Sequence, residues 1–494
     1  MQYIPYLAAF LLAMLIISGP LDRGARIAVF LIPWWALEVD FGVSFKMSEF
    51  LMLVYVLRAA IAGQSLTRFS RNRIGLFLLF FLYSGVVAAI TILFGPEVPE
   101  FAGGSIFRNG FGRVFSVGVK WGILIAFMIA VTRLKASELP SILLAYVRSC
   151  VILASLGLLQ MITFLVSGID LFPVGIFLSE DYQYQGTLNI GGAGILRVSS
   201  FGGEPKGLGV ALAIAIYILW ATKDLNHISP LRQKLYYALM LLVVILTAST
   251  SAFIVLGSIF VYILVFRFLG ASLSTRTLAI ALTAQFIVIT AVFISFAESQ
   301  SNGSQQLFVS AETYLDALTY KLTGRLHLDD TDAYLAQSFA RDRLGIIFGR
   351  GLGVVHHYGY DLIPTNHLER LGGTILSAKS GVIELLGNGG MIGGILFMVA
   401  IANFSSNSSP HLSLAQKRTV WRFQAVTMGF LLAFLLRLYA PEIILLSVLL
   451  FGEYTRRAYI RPSHIDVVEG DIENKQKSTG IIPIMVAQVK RRRT

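Results

Sequence analysis

The 494-residue chain has a single cysteine, Cys150, inside an apolar block. That excludes an intrachain disulfide and any cysteine-based metal or redox motif. Charge is also scarce. Asp, Glu, Lys and Arg make up 14% of the residues, against about 25% in a soluble domain. Acidic residues are the rarer sign, 28 against 40 basic ones, leaving a net charge of +12. Hydrophobic residues are abundant, at 55% with mean hydropathy +0.72. This balance excludes a water-soluble globular enzyme, a disordered chain and a collagen-like fibre. In a soluble protein the basic excess would point to nucleic acid. In so apolar a chain it reports instead which side of a membrane each loop faces, and no nucleic-acid partner is expected.

The apolar residues come in long blocks. A helix crossing a hydrocarbon core of about 30 Å needs roughly 20 mostly apolar residues. Candidate spans fall near 3–19, 25–39, 45–62, 74–94, 115–132, 142–166, 204–221, 235–248, 252–269, 277–296, 380–402, 419–436 and 438–455. The expected fold is an all-α polytopic membrane protein of about 12–13 transmembrane helices. The block 25–39 is short and holds Pro33, Trp34 and Trp35, so it is either a span or a re-entrant or interfacial segment. The eighth and ninth blocks form one apolar run interrupted by Thr247-Ala248-Ser249-Thr250-Ser251. That interruption reads as a tight hairpin, with one long tilted helix as the alternative. The first block has no basic n-region and no small-residue cleavage site, so it is expected to remain as a span.

Basic residues in short loops set the orientation. Arg68, Arg71, Arg73, Arg133, Lys135, Lys223, Arg232, Lys234, Arg267, Arg276, Lys417, Arg418, Arg422, Arg456, Arg457 and Arg461 all alternate onto one side, as does the terminal Lys490–Arg493 run. That side is expected to be the cytoplasm. The transmembrane domain is then 1–461, followed by a polar basic tail, 462–494. The opposite side receives loops 95–114, 167–203 and 297–379. The last holds nine acidic and seven basic residues. Leu315, Leu318 and Leu322 share one face of 311–323, either as a helix on the membrane surface or as a solvated connector. The stretch 333–347 also reads as helix, with Leu335 and Phe339 one turn apart and Gly349, Gly351 and Gly353 ending it.

Four segments could carry chemistry. The first is Arg197-Val-Ser-Ser-Phe-Gly-Gly-Glu204-Pro205-Lys206-Gly207, at the start of the seventh span. A helix N-terminus beside Lys and Arg suits an anion, whereas a charge at a span end often only anchors it. The second is Arg341-Asp342-Arg343 followed by Phe348-Gly349-Arg350-Gly351-Leu352-Gly353. Arginines there offer paired donors for phosphate, although a glycine after a helix is usually its C-terminal cap. The third, Lys379 to Gly394, opens the eleventh span with many glycines, whose expected role is close helix packing. Its Glu384 lies about one turn into the membrane and needs a partner or an aqueous cavity. The fourth is His356, His357, Asp361, His367 and Glu369, which have no recognised zinc-ligand spacing. An ordinary polar loop is the expectation there, with no metal.

In this order the segments resemble those of the O-antigen polymerase and O-antigen ligase superfamily of bacterial polysaccharide assembly. Arg197…Phe201…Glu204-Pro205 looks like that family's Arg…Phe…Pro segment opening a span. Leu246-Thr247-Ala248-Ser249 is similar to its Leu-Thr-x-Ser-Arg hairpin, without the usual arginine. Gly324-Arg325 with 333–353 looks like its Arg-bearing helix and Gly-x-Gly-x-Gly end. Glu384-Leu385-Leu386…Gly390-Met391-Ile392-Gly393 is similar to the helix that follows. The resemblance covers roughly 195–400 by motif and most of the chain by topology. Lys379 stands where ligases carry a histidine. Arg370 and Gly381 satisfy an Arg-x10-Gly spacing described for polymerases, while none of the seven histidines satisfies the companion His-x10-Gly.

The resemblance implies a GT-C-like architecture and a metal-independent glycosyltransferase without cofactor, in the bacterial inner membrane with its active site facing the periplasm. It would polymerise undecaprenyl-pyrophosphate-linked repeat units into O-antigen or exopolysaccharide, alongside a flippase and a chain-length regulator. The alternatives are a ligase acting on another acceptor, or a lipid-linked oligosaccharide flippase. The implied pyrophosphate and substrate cations are Arg197, Lys206, Arg325, Arg341, Arg350 and Lys379, with Arg343 also available. The implied general base is Glu204, with His367 second and Glu384 third. On this reading Arg197→Ala and Arg325→Ala leave the protein inserted but stop chain lengthening. Glycan ladders on a gel test this, and a normal ladder from both variants would overturn the assignment.

Overall fold

The computed structural model describes residues 4–40, 44–62, 68–95, 110–131, 134, 138–170, 187–190, 193–225, 228–269, 273–300, 330–355, 378–405, 414–437, 450 and 452. The helices are α1 (Ile4–Ser18), α2 (Leu21–Phe30), α3 (Met47–Ile61), α4 (Arg68–Phe94), α5 (Gly110–Val131), α6 (Leu139–Ser167), α7 (Pro205–Ala221), α8 (Pro230–Leu246), α9 (Thr250–Leu269), α10 (Thr275–Gln300), α11 (Asp330–Arg341), α12 (Arg343–Phe348), α13 (Gly381–Ser405) and α14 (Leu414–Arg437). Two short antiparallel hairpins accompany them: β1 (Glu38–Asp40) with β2 (Ser44–Lys46), and β3 (Thr187–Ile190) with β4 (Ala193–Leu196). Proline opens α6, α7 and α8, where a missing N–H costs nothing. Gly168, at φ 68°, stops α6.

The chain is a helical, multi-pass membrane protein. Seven described helices are long and apolar enough to cross a bilayer; they lie in α4, α5, α6, α9, α10, α13 and α14. Four other expected spans appear as shorter helices: α1 and α3 have 15 residues each, α7 and α8 have 17 each. Those lengths give about 22–26 Å at 1.5 Å per residue.

α7 is the central element. It packs on α6, α8, α9 and α14, and nearly all its residues are buried. Gly207, Gly209, Ala211, Ala213 and Ala215 give it a thin profile, so neighbouring backbones come close. A Cβ on Gly209 would lie 2.7 Å from Thr247 Oγ1. The periphery shows the opposite pattern. On α4, Leu78, Leu82, Val86, Ile90 and Leu93 are exposed to the lipid zone, while Phe77, Phe80, Ser84 and Ala88 face inward.

Two expectations are revised. The block 25–39 is not a helical span. α2 ends at Phe30, because Pro33 supplies no N–H and disfavours helical backbone at Ile32. The chain then turns and reaches β1, where Tyr6 at the start of α1 hydrogen-bonds the backbone of Asp40. As expected, the interruption at 247–251 separates two helices by a short turn, and α8 and α9 both pack on α7. The helix expected at 333–347 is two helices, because Asp342 leaves helical backbone and caps α12 through the Gly345 N–H at 2.9 Å. Leu335 and Phe339 are both fully buried on α11, as their spacing requires. Helix 311–323, nearly all of block 438–455 and the tail 462–494 lie outside the described residues.

Close packing of α9 on α14 makes a direct test. A Cβ at Gly429 would stand 2.4 Å from Ile259 Cα, whereas at Gly257 it would meet nothing within 4 Å. Gly429→Ala is expected to cost about 1–3 kcal/mol and Gly257→Ala nothing, read as thermal unfolding in detergent.

Candidate functional site

The stretch Arg197–Glu204 is irregular backbone around one 3-10 turn, Ser200–Gly202, and bonds from several neighbouring segments fix it. Gln160 of α6 is fully buried, and its Oε1 accepts the Ser199 N–H at 3.1 Å and the Ser200 N–H at 2.9 Å. Its Nε2 donates to Asp170 Oδ1 at 2.7 Å. The Val198 N–H reaches Leu246 O at 3.4 Å. The Phe201 carbonyl accepts the Ala36 N–H at 3.2 Å, and its ring stacks on Trp34 with centroids 5.4 Å apart.

Arg197 joins the first landmark to the second. Its Nε donates to Thr247 O at 3.1 Å and its Nη2 to Ala248 O at 3.4 Å. Two of its five N–H donors thus serve carbonyls at the end of α8. Among the described residues, Ser200 (φ 47°) and Ala248 (φ 44°) are the non-glycines in the left-handed region. One lies on each of these touching segments, and such strain concentrates at functional sites. Glu204 ends the stretch as the N-cap of α7, half-buried and making no side-chain cap bond. Lys206 stands in the first turn of α7, also half-buried.

The glycine-rich segment forms the second part. Gly349, Gly351 and Gly353 have φ of 80°, 105° and 74°. They approach protein backbone. A Cβ on Gly351 would overlap Ala88 of α4, and one on Gly349 would lie 2.6 Å from Gly390 N. α13 is broken at Gly390 (φ 61°, ψ −160°), and the Gly387 carbonyl one turn earlier accepts both the Arg350 N–H at 2.8 Å and the Gly351 N–H at 3.1 Å. Leu352 N–H bonds Ser84 O at 3.0 Å, and Gly353 N–H bonds Asn388 Oδ1 at 3.1 Å. Asn388 Nδ2 in turn donates to Glu384 Oε1 at 3.2 Å. Glu384 therefore has the partner its position demanded. Ser84 is midway along the Ile74–Phe94 span, so the segment dips to half-depth. The sequence placed it in an outer loop. Irregular backbone at that depth must be enclosed by protein, and residues 351–355 are all buried.

A line of side chains connects the two parts. A Cβ on Gly207 would touch the Trp35 ring at 2.6 Å. Lys46 Nζ lies 4.7 Å over that ring. The Lys46 N–H donates to Glu49 Oε2 at 2.9 Å, and the same oxygen is 3.8 Å from Lys120 Nζ of α5. Gly118, half a turn from Lys120, faces Leu352 of the glycine-rich segment.

Of the cations expected at the site, Arg350 pairs with Asp342 through Nη2 and Oδ2. Arg341, Arg343 and Lys379 are exposed, and the Lys379 backbone N–H bonds buried Asp332 at 2.8 Å. Arg325, His367, His356, His357, Asp361, Glu369 and Arg370 lie outside the described residues. Among the described residues no three His, Cys, Asp or Glu side chains cluster as a metal site. Sequence reading passed over Gln160, Asn388, Glu49 and Lys120. The signal for each was an ionisable or amide side chain inside an apolar run. Comparison with protein-family models, characterised proteins and solved structures finds no match.

Gln160 supplies the test of this geometry. Gln160→Leu orphans the buried Ser199 and Ser200 amides at about 1–3 kcal/mol each. The variant is expected to unfold at lower temperature in detergent and to lose whatever activity the wild type shows.

Proposed function

We propose that this chain is a membrane glycosyltransferase that polymerises undecaprenyl-pyrophosphate-linked oligosaccharide repeat units at the periplasmic face of the bacterial inner membrane. The larger count of 12–13 spans and a GT-C-like architecture belong to this proposal. One observation carries it. Segments singled out by family resemblance, far apart in sequence, are neighbours: Arg197 holds Thr247 and Ala248, and the glycine-rich segment is bonded to Gly387 and Asn388.

In the proposed reaction, a hydroxyl of the acceptor repeat unit attacks the anomeric carbon of the donor chain. The new glycosidic C–O bond forms as the C–O bond to the carrier pyrophosphate breaks. Glu204 takes the hydroxyl proton. The pyrophosphate leaves with the bonding pair, and fixed cations receive its charge in place of a metal. Arg197 and Lys206 are the cations nearest Glu204 in sequence; Arg350 stands on the glycine-rich segment, Lys379 just before α13, and Arg325 completes the proposed set. A ligase would differ only in its acceptor. Lys379, where ligases carry histidine, favours the polymerase.

Proteoliposomes given synthetic lipid-linked repeat units test the reading. The wild type is expected to build a ladder of products, and Glu204→Gln to slow it by about 10²–10⁴-fold at unchanged expression. Scrambling of the substrate across the vesicle without elongation would overturn the proposal in favour of a flippase.

A further inference from the structure

α12 carries its apolar side chains outward. Leu344, Ile347 and Phe348 fall at i, i+3 and i+4, so they share one face, and they are 69%, 43% and 46% exposed. Gly345 is turned inward and buried. A helix in a water-filled loop shows polar residues on its exposed face. The exposed face here is apolar, which suits hydrocarbon.

The depth of α12 is fixed from both directions. Before it, Asp332 of α11 accepts the N–H of Lys379, just ahead of the start of α13. At its end, a Cβ on Gly390, well inside α13, would collide with the Ile347 carbonyl. There the Tyr83 hydroxyl donates to the Phe348 carbonyl at 3.0 Å, and Tyr83 is close to the middle of the Ile74–Phe94 span. The chain thus descends along α13 from its first residues to mid-span. Tyr83 is one turn from Leu79 and from Val86 of α4, both exposed on the lipid side, and Ile392 of α13 is exposed just past Gly390. The apolar face of α12 continues that lipid-facing surface.

Two arginines flank the face. Arg341 ends α11 and Arg343 opens α12. Both are exposed, and their side chains have no hydrogen-bond or ion-pair partner among the described residues. The carboxylate between them is engaged: Asp342 Oδ1 takes the Gly345 N–H, and Oδ2 pairs with Arg350. Asp332 is buried on the Lys379 N–H, and Asp330 opens α11 about three turns from Arg341. An apolar face beside free guanidinium groups is the pattern of a segment at the head-group boundary, where arginine reaches phosphate oxygens with paired donors.

We propose that α12 is a re-entrant helix. It seats Leu344, Ile347 and Phe348 among the acyl chains of the leaflet at which α13 begins, and Arg341 and Arg343 hold the phosphate of an anionic two-chain phospholipid there. This goes beyond the polymerase reading and does not depend on it. It takes 341–348 out of an aqueous loop and gives these two arginines a membrane lipid as ligand in place of the carrier pyrophosphate.

Two measurements on the full-length protein in phosphatidylcholine nanodiscs test it. Cys150 is fully buried, so cysteines introduced by Leu344→Cys and Phe348→Cys can each carry a bimane fluorophore. Lipids brominated in their chains are expected to quench both labels as strongly as a label at Leu82→Cys on the lipid face of α4, and iodide in the buffer to quench neither. Strong iodide quenching at both would overturn the proposal, because the face would then line a water-filled cleft. In the second measurement phosphatidylglycerol is mixed into the discs and native mass spectrometry reads what the protein keeps. The wild type is expected to retain it, and the double variant Arg341→Gln with Arg343→Gln to weaken retention roughly 30-fold, the worth of two arginines at a charged membrane surface. Unchanged retention would overturn the phosphate contact, as would displacement by equimolar undecaprenyl pyrophosphate, which would make the site one for the carrier. The bimane readout changes neither arginine and decides alone if the double variant does not fold. Neither readout involves sugar transfer, so a chain that passes both and makes no polymer keeps this inference and loses the polymerase reading.

Discussion

Hydrocarbon offers no hydrogen-bond partner, so irregular backbone within a membrane protein survives only where the protein itself supplies every donor and acceptor. Two stretches of this chain depend on that rule, Arg197–Glu204 and Gly349–Val355. Each is served by one buried amide side chain, Gln160 for the first and Asn388 for the second. Backbone carbonyls of Leu246, Ser84 and Gly387 complete the provision. The helices around them are arranged to bring these acceptors within reach. The thin central helix α7 and the broken helix α13 are the two devices that allow it.

The rule has a consequence for chemistry. Side chains on a backbone pinned in this way have little freedom left to lose on meeting a ligand, which is the condition for an electrostatically preorganised site. Arg197 and Glu204 stand on one pinned stretch, with Lys206 just beyond it in α7, and Arg350 stands on the other. Strain at Ser200 and Ala248 is tolerated because several bonds hold each segment at once.

Much of the architecture was legible in the sequence. Apolar block length located the helices α4, α5, α6, α9, α10, α13 and α14, since the bilayer imposes that length. Prolines and glycines marked most of the ends. The failures share a cause. Pro33 left block 25–39 open between a span and a re-entrant or interfacial segment, because hydropathy does not distinguish a membrane helix from a buried turn. The glycine-rich segment was assigned to an outer loop because glycine and arginine lower hydropathy; its burial comes from contacts with α4 and α13, which no local pattern encodes. For the candidate site, the landmark segments were singled out by resemblance to a family's motifs in their order along the chain. Gln160 and Lys120 were missed because each is one polar residue in a long apolar run, and its meaning arises only when another helix is set beside it.

The stitching of the glycine-rich segment onto two helices also decides where the bundle can part. Leu352 holds α4, while Arg350, Gly351 and Gly353 hold α13, and the Tyr83 hydroxyl donates to the Phe348 carbonyl at 3.0 Å. The seam between α4 and α13 is therefore sewn shut at mid-depth. No lateral opening exists there at that depth, and any doorway into the bundle from the lipid must run along another pair of helices.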